Sequence, residues 1–391
     1  MARPGTLIGP AEEIVCLCGL GTTFATAAAG FTFAATTYYS GTGTSNFALP
    51  VTESPSFDLN TEIDNTRKMT GIRELGQPWD TGEILKLHPT TTLSYQANAY
   101  NTVLPLIGLF QAKGYTEGAS TPFVKTFAVS LNQNGVAAAE PYQPTWYMSA
   151  MKYFMTGTNA TNEIMDACVT TSMNFSCEGG PLMVQVGLLG ARYRNSINLT
   201  SPSVGLDTTN PPLVMHNMAV TIYDPAGTPA SRSVLVKGMS INLATEAVPQ
   251  FYNNAVPQKI VMGGLTCSGS LKIPQAILGS ETSEAEGGTT YTGGSVPLSD
   301  FLGIASAVGG AFAGSSAGNI QLNRLINISW GAVPAAATGQ LAFQMNVVFD
   351  EPKRTSDVEL LYDLPFRAVR TVGDADGLTV SCATAVDFNL T

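Results

Sequence analysis

Two pairs of segments, one pair in each half of the chain, alternate apolar and polar residues with the period of a β-strand. Residues Ala167–Ser176 alternate, break at Cys177–Pro181 and resume over Leu182–Gly190. In the second half Val234–Leu243 alternates, a long polar loop follows, and the pattern returns over Lys259–Ile273. Successive side chains on a strand point to opposite faces. Leu265, Cys267, Gly269, Leu271 and Ile273 therefore share one face, and Thr266, Ser268, Ser270 and Lys272 the other. The first pair separates in the same way, with Met173 and Phe175 against Thr170, Ser172, Asn174 and Ser176. Met239 and Ile241 likewise oppose Ser240 and Asn242. Such hairpins want a core behind them and water in front, and an open sheet made of them leaves edges to be covered. The pattern suits a wall better than a pocket.

The rest of the chain reads as a mainly β protein with short flanking helices. Thr91–Gln96 and Lys125–Leu131 alternate as strands, with a short helix between them over Asn101–Phe110, Pro105 falling in its first turn. A similar series follows in the second half: a strand at Ser268–Ile273, a Pro-opened helix at Val296–Ile304, and strands at Arg324–Trp330 and Gly339–Phe349. The two series predict a diverged duplication related by a pseudo-two-fold. The Ser/Pro/Asn-rich stretch 201–212 is the best linker. The expected organisation is an extended arm over 1–56, which needs a neighbouring subunit to become ordered, a lobe over 57–200 and a second lobe over 213–391.

Composition sharpens this. Of 391 residues 44% are hydrophobic and only 12% charged, about half the usual charged share. A chain so poor in charge is suited to burying its surface against copies of itself. The net charge of −10 and the absence of any Lys/Arg cluster argue against tight binding to nucleic acid, whose sequence-independent affinity comes from phosphate neutralisation. Charge concentrates locally between residues 60 and 82, where Arg67, Lys68, Arg73 and Glu74 read either as specific ion pairs or a subunit contact, or as a solvated loop. The apolar stretch Ile14–Ala35 follows Glu12 and Glu13 and is interrupted by Gly19, Gly21 and Gly30, so it reads as neither leader nor membrane span. The six cysteines are expected as buried thiols, the alternative being a Cys168–Cys177 staple across the first hairpin.

Candidate chemistry is sparse. Nucleophile elbows, phosphate loops, dinucleotide fingerprints and zinc-binding pairs are absent. Gly263 and Gly264 lie inside a strand pattern, where glycine marks a bulge or a close backbone approach. Asp374 and Asp376 read as an Asp-Gly turn, and neither His88 nor His216 has a catalytic companion nearby. The expectation is a protein that is not an enzyme and uses no cofactor or metal.

The Arg-containing segment Arg67–Gly76, the strand and Leu/Gly-rich helix over Leu93–Gly108, the strand around Phe127–Val129 and the hairpin after it are similar to tail tube proteins of long, non-contractile bacteriophage tails. So are the second hairpin, with the loop residues Tyr252, Asn253 and Asn254 and the closing strand Thr266–Leu271, and the strand Phe343–Phe349. The resemblance spans roughly 57–391. It implies β-sandwich lobes whose hairpins build an inner β-barrel in the oligomer, stacked rings, and a bore that conducts DNA. A two-lobed member implies homotrimeric, pseudo-hexameric rings, contacts to other tail proteins, no membrane, and a place in the virion after synthesis in the host cytoplasm. Thr170, Ser172, Asn174, Ser240, Asn242, Thr266, Ser268 and Ser270 would line the bore, and Tyr252, Asn253 and Asn254 would touch a neighbouring subunit. Two other readings share the composition. One is a secreted or cell-surface β-sandwich binding module, using Trp79, Trp146 or Trp330 as a stacking platform; the other is a capsid or decoration protein.

Overall fold

The structure is a computed structural model. It describes residues 13–21, 46–49, 51–64, 83–111, 115–117, 123–130, 144, 147–154, 163–195, 204–205, 212–223, 232–274, 324–331, 339–356, 360–369 and 376–384. In chain order the first strands are β1 (Glu13–Gly21), β2 (Asn46–Leu49), β3 (Phe57–Asp64) and β4 (Glu83–Gln96), followed by helix α1 (Val103–Phe110). Then come β5 (Tyr115–Glu117), β6 (Phe123–Ser130), β7 (Tyr147–Phe154), β8 (Glu163–Glu178), β9 (Met183–Leu189), β10 (Arg192–Asn195) and β11 (Val204–Gly205). The second half supplies β12 (Met218–Tyr223), β13 (Arg232–Val234), β14 (Gly238–Gln250), β15 (Lys259–Pro274), β16 (Arg324–Trp330), β17 (Gln340–Phe349), β18 (Lys353–Ser356), β19 (Leu360–Ala368) and β20 (Asp376–Thr384). The fold is mainly β, as the alternation predicts.

Two layers pack face to face. The front layer runs β3-β4-β9-β8-β14-β15-β19-β18, every neighbouring pair antiparallel. The back layer runs β13-β12-β16-β17-β20-β6-β5. Strand β17 belongs to both, because its last residues, Val347–Phe349, pair with β19. Between the layers Phe175 meets Phe343 edge-on at 4.9 Å, Trp330 meets Phe343 at 6.1 Å, and Phe349 meets Phe366 at 5.9 Å. The apolar strand faces fill this core: Met173, Phe175, Ile241 and Leu271 are fully buried. Burying a side chain of this size contributes roughly 1.5–3 kcal/mol.

The halves expected on either side of 201–212 share strand pairings and a core cluster. β8 of the first half pairs with β14 of the second, β20 pairs with β6, and one core cluster holds Leu93 and Phe127 together with Phe343 and Cys382. The register is symmetric about the β8–β14 seam, where Asn174 faces Asn242, outward to Gln185 and Ser268 and then to Ser94 and Arg367. The two hairpins therefore meet through their first strands, about a local two-fold normal to the sheet. The helix expected at Val296–Ile304 lies outside the described residues.

Strand β1, within the stretch expected as an arm, pairs with β7 and β2 of its own chain. Cys168 and Cys177 lie on one strand, β8, so no staple can join them; both are buried thiols, as are Cys267 and Cys382. The polar loop after Leu243 is short, since β14 continues to Gln250 and β15 begins at Lys259. His216 sits in a 3-10 turn, Met215–Asn217.

Candidate functional site: a polar trough on the front sheet

The outward faces of β4, β9, β8, β14, β15 and β19 combine into one concave surface enclosing about 810 Å³. Cross-strand pairing arranges it in rows. The central row is Ser94, Gln185, Asn174, Asn242, Ser268 and Arg367. Beside it run Ser176, Ser240 and Ser270 on one flank and Thr92, Gly187, Ser172, Ala244 and Thr266 on the other. Ser240 and Ser270 share a hydroxyl hydrogen bond at 3.1 Å, and the Thr266 hydroxyl donates to the Ala244 carbonyl at 3.0 Å. Of the residues expected on one polar surface, Ser172, Asn174, Ser240, Asn242, Ser268 and Ser270 line the trough and Thr266 stands on the same face beyond it.

Thr170 does not join them. A bulge between Thr170 and Ser172 shifts the pairing of β8 with β9, so the alternation reverses there and Thr170 turns inward. It is fully buried, and its Oγ1 lies 2.6 Å from where a side chain on Gly108 of α1 would begin. That hydroxyl has no hydrogen-bond partner. A second bulge, between Thr245 and Ala247, sets Glu246 against Gly263 and Gly264, as the glycine pair predicts. The Thr245 hydroxyl closes it on the Gly263 carbonyl at 3.0 Å.

Two charge pairs stand at the margins of the trough. The Lys272 ammonium donates to Glu178 at 2.8 Å across Gly238, and Arg367 Nε lies 3.8 Å from Asp350 Oδ1. Between these pairs the trough offers hydroxyls and amides, which hold water as both donors and acceptors. Gly269 forms part of its floor. A Cβ there would run into the Ser240 carbonyl oxygen and stand 2.5 Å from the Phe366 ring, so only hydrogen fits.

The loop Tyr252, Asn253 and Asn254 caps the second hairpin, and Tyr252 is 59% exposed. Asn253 takes a left-handed backbone, φ 50°, which asparagine tolerates, and Asn254 Oδ1 accepts the Val256 amide at 3.0 Å. The tip docks on β4 of its own chain: the Leu87 amide donates to the Ala255 carbonyl at 2.7 Å, and the Phe251 ring lies 6.1 Å from His88. Burial and the nearby Lys86 hold the His88 imidazole below its usual pKa. Arg67, Lys68, Arg73 and Glu74 lie outside the described residues.

Thr92, Gln185 and Arg367 belong to the trough and were not foreseen. Gln185 had a signal, standing between inward-facing Val184 and Val186. Thr92 had one also, in the alternation of Thr91–Gln96, but β19 was hidden by Pro365. Trp330 is fully buried in the core and can form no stacking platform, while Trp79 and Trp146 lie outside the described residues. Among the described residues no three His, Cys, Asp or Glu side chains gather to hold a metal, and no helix is long and apolar enough to cross a membrane. Burial pushes the Cys267 and Cys382 thiols up to about 12. Compared with known proteins, the chain matches no family model, and no curated protein is significantly similar to it.

Proposed function

We propose that this chain is a structural subunit that assembles with copies of itself into stacked rings, forming the tail tube of a long, non-contractile-tailed bacteriophage whose bore passes DNA. The observation that carries the reading is the trough: one concave face of mostly short polar side chains, six strands wide, built from hairpins of both halves. A passage for a polyanion must not hold it. Short neutral groups keep water at the wall and neutralise no phosphate, so a passing duplex releases no counterions and gains no grip. The acidic balance of the chain acts in the same direction.

Closing such a sheet on itself removes its edges. Three copies around the axis would present six hairpins, alternating in sense because of the two-fold seam. Other tail proteins would meet the ends of the stack. Negative-stain electron microscopy of the purified protein tests the proposal: rings or tubes with a stain-filled bore are expected, and a monodisperse monomer under all assembly conditions would overturn it.

A further inference from the structure

We infer that copies join head to tail through strand β18 of one and strand β3 of the next; this rests on the ring assembly proposed above. Among the described residues β3 pairs only with β4, and β18 only with β19, so each ends the front layer. The layer contains an even number of strands, all antiparallel, and its two edge strands therefore run in opposite directions. Copies standing the same way up bring β18 alongside β3 as another antiparallel pair, the geometry that continues the ladder. A junction between unlike edges is heterologous and closes into a ring when its rotation allows.

The edges also match chemically. β18 opens with the exposed cations Lys353 and Arg354. β3 carries exposed Asp58 and Glu62, the latter already bonded to Lys86 at 2.6 Å. By register Lys353 stands on the face of Asp363 and Lys272, and Asp58 on that of Thr90 and Thr92, the same side of the sheet. On the opposite side Leu59 and Ile63 are 43% and 46% exposed along β3, and Leu360 is 38% exposed beside β18. The junction would cover these apolar groups on one face and pair charge on the other.

The stagger of the edges fits closure. β18 stands at the Lys272 end of the sheet, and β3 begins level with Leu188 and runs toward the hairpin tip. An offset of about a dozen residues at ~3.3 Å, across eight strands at ~4.8 Å, tilts the strands roughly 45° from a ring axis, near the tilt of closed barrels. Three copies would then form a barrel about 50 Å across between backbones.

Charge reversal tests the junction. Lys353→Glu and Glu62→Lys, which stand opposite each other in the register that sets Asn60 against Thr355, should each reduce tubes and rings at least ten-fold in electron micrographs, and the double variant should recover them. In a second measurement, a short bis-maleimide should link Asn60→Cys on one copy to Thr355→Cys on the next, giving covalent multimers. If the wild type forms tubes and both single reversals form them equally well, the junction is wrong and the tube reading stands. Linking of Asn60→Cys to Thr266→Cys, on the outer edge of β15, in place of Thr355→Cys would likewise move the junction elsewhere. A wild type that forms neither rings nor tubes would overturn both.

Discussion

At the scale of residues, stability rests on a close approach, a lone buried hydroxyl and a buried charge. At Gly269 the sheet is too tight for any side chain, with the Ser240 carbonyl and the Phe366 ring both in the way. Gly269→Ala should lower stability by about 1–3 kcal/mol, the usual cost of overpacking, read as a fall in Tm of the unassembled chain. Thr170 carries a buried hydroxyl without a partner. Thr170→Val keeps the shape and removes that group, so stability should rise by about 1 kcal/mol; an unchanged or lower Tm would place this side chain in water. Asp166 is buried, accepting from Arg194 Nε at 2.7 Å and from the Ser149 hydroxyl at 3.2 Å. Burial holds its carboxyl above the usual value of 3.8, with Arg194 opposing the rise. A raised acid favours the folded state most when protonated, so its contribution is greatest in acid and declines as pH climbs through the window above 3.8. Arg194→Ala leaves an uncompensated buried charge and should cost about 3 kcal/mol at neutral pH. The loss should shrink as pH falls and Asp166 takes up a proton, and chemical denaturation across pH checks the sign.

At the scale of elements, the strands legible in the sequence were those with one wet and one dry face. β8, β9, β15, β16 and β17 fall where alternation places them, and α1 follows the apolar run around Pro105. Two things were not legible. A bulge reverses alternation without changing composition, so Thr170 carries the same local pattern as Ser172 and takes the opposite side. Pairing between distant strands has no local signature either: the β8–β14 seam, which merges the halves and makes the trough one surface, depends on edges 60 residues and more apart in sequence meeting in register. Strand β19 escaped because proline argues against a sheet interior; here its carbonyl still accepts the Asp350 amide at 2.8 Å, while Pro365 pairs with Ser270 of β15.

At the scale of the whole molecule, the front layer is a strip of wall with a wettable face, a packed back and two unlike edges. In the tube proposed above its polar face would line the bore, whereas on a lone subunit the same groups are ordinary surface. The most direct test is therefore access. Single cysteines at Ser172, Ser268 and Ser270 should react readily in dispersed protein with a maleimide attached to a carrier too bulky to enter the bore. In intact tubes the same three should be protected from it, while a small maleimide still labels them through the tube ends and an outer-side control cysteine reacts with both. Full labelling of 172, 268 and 270 by the bulky reagent on intact tubes would put the trough on the outside and contradict the account.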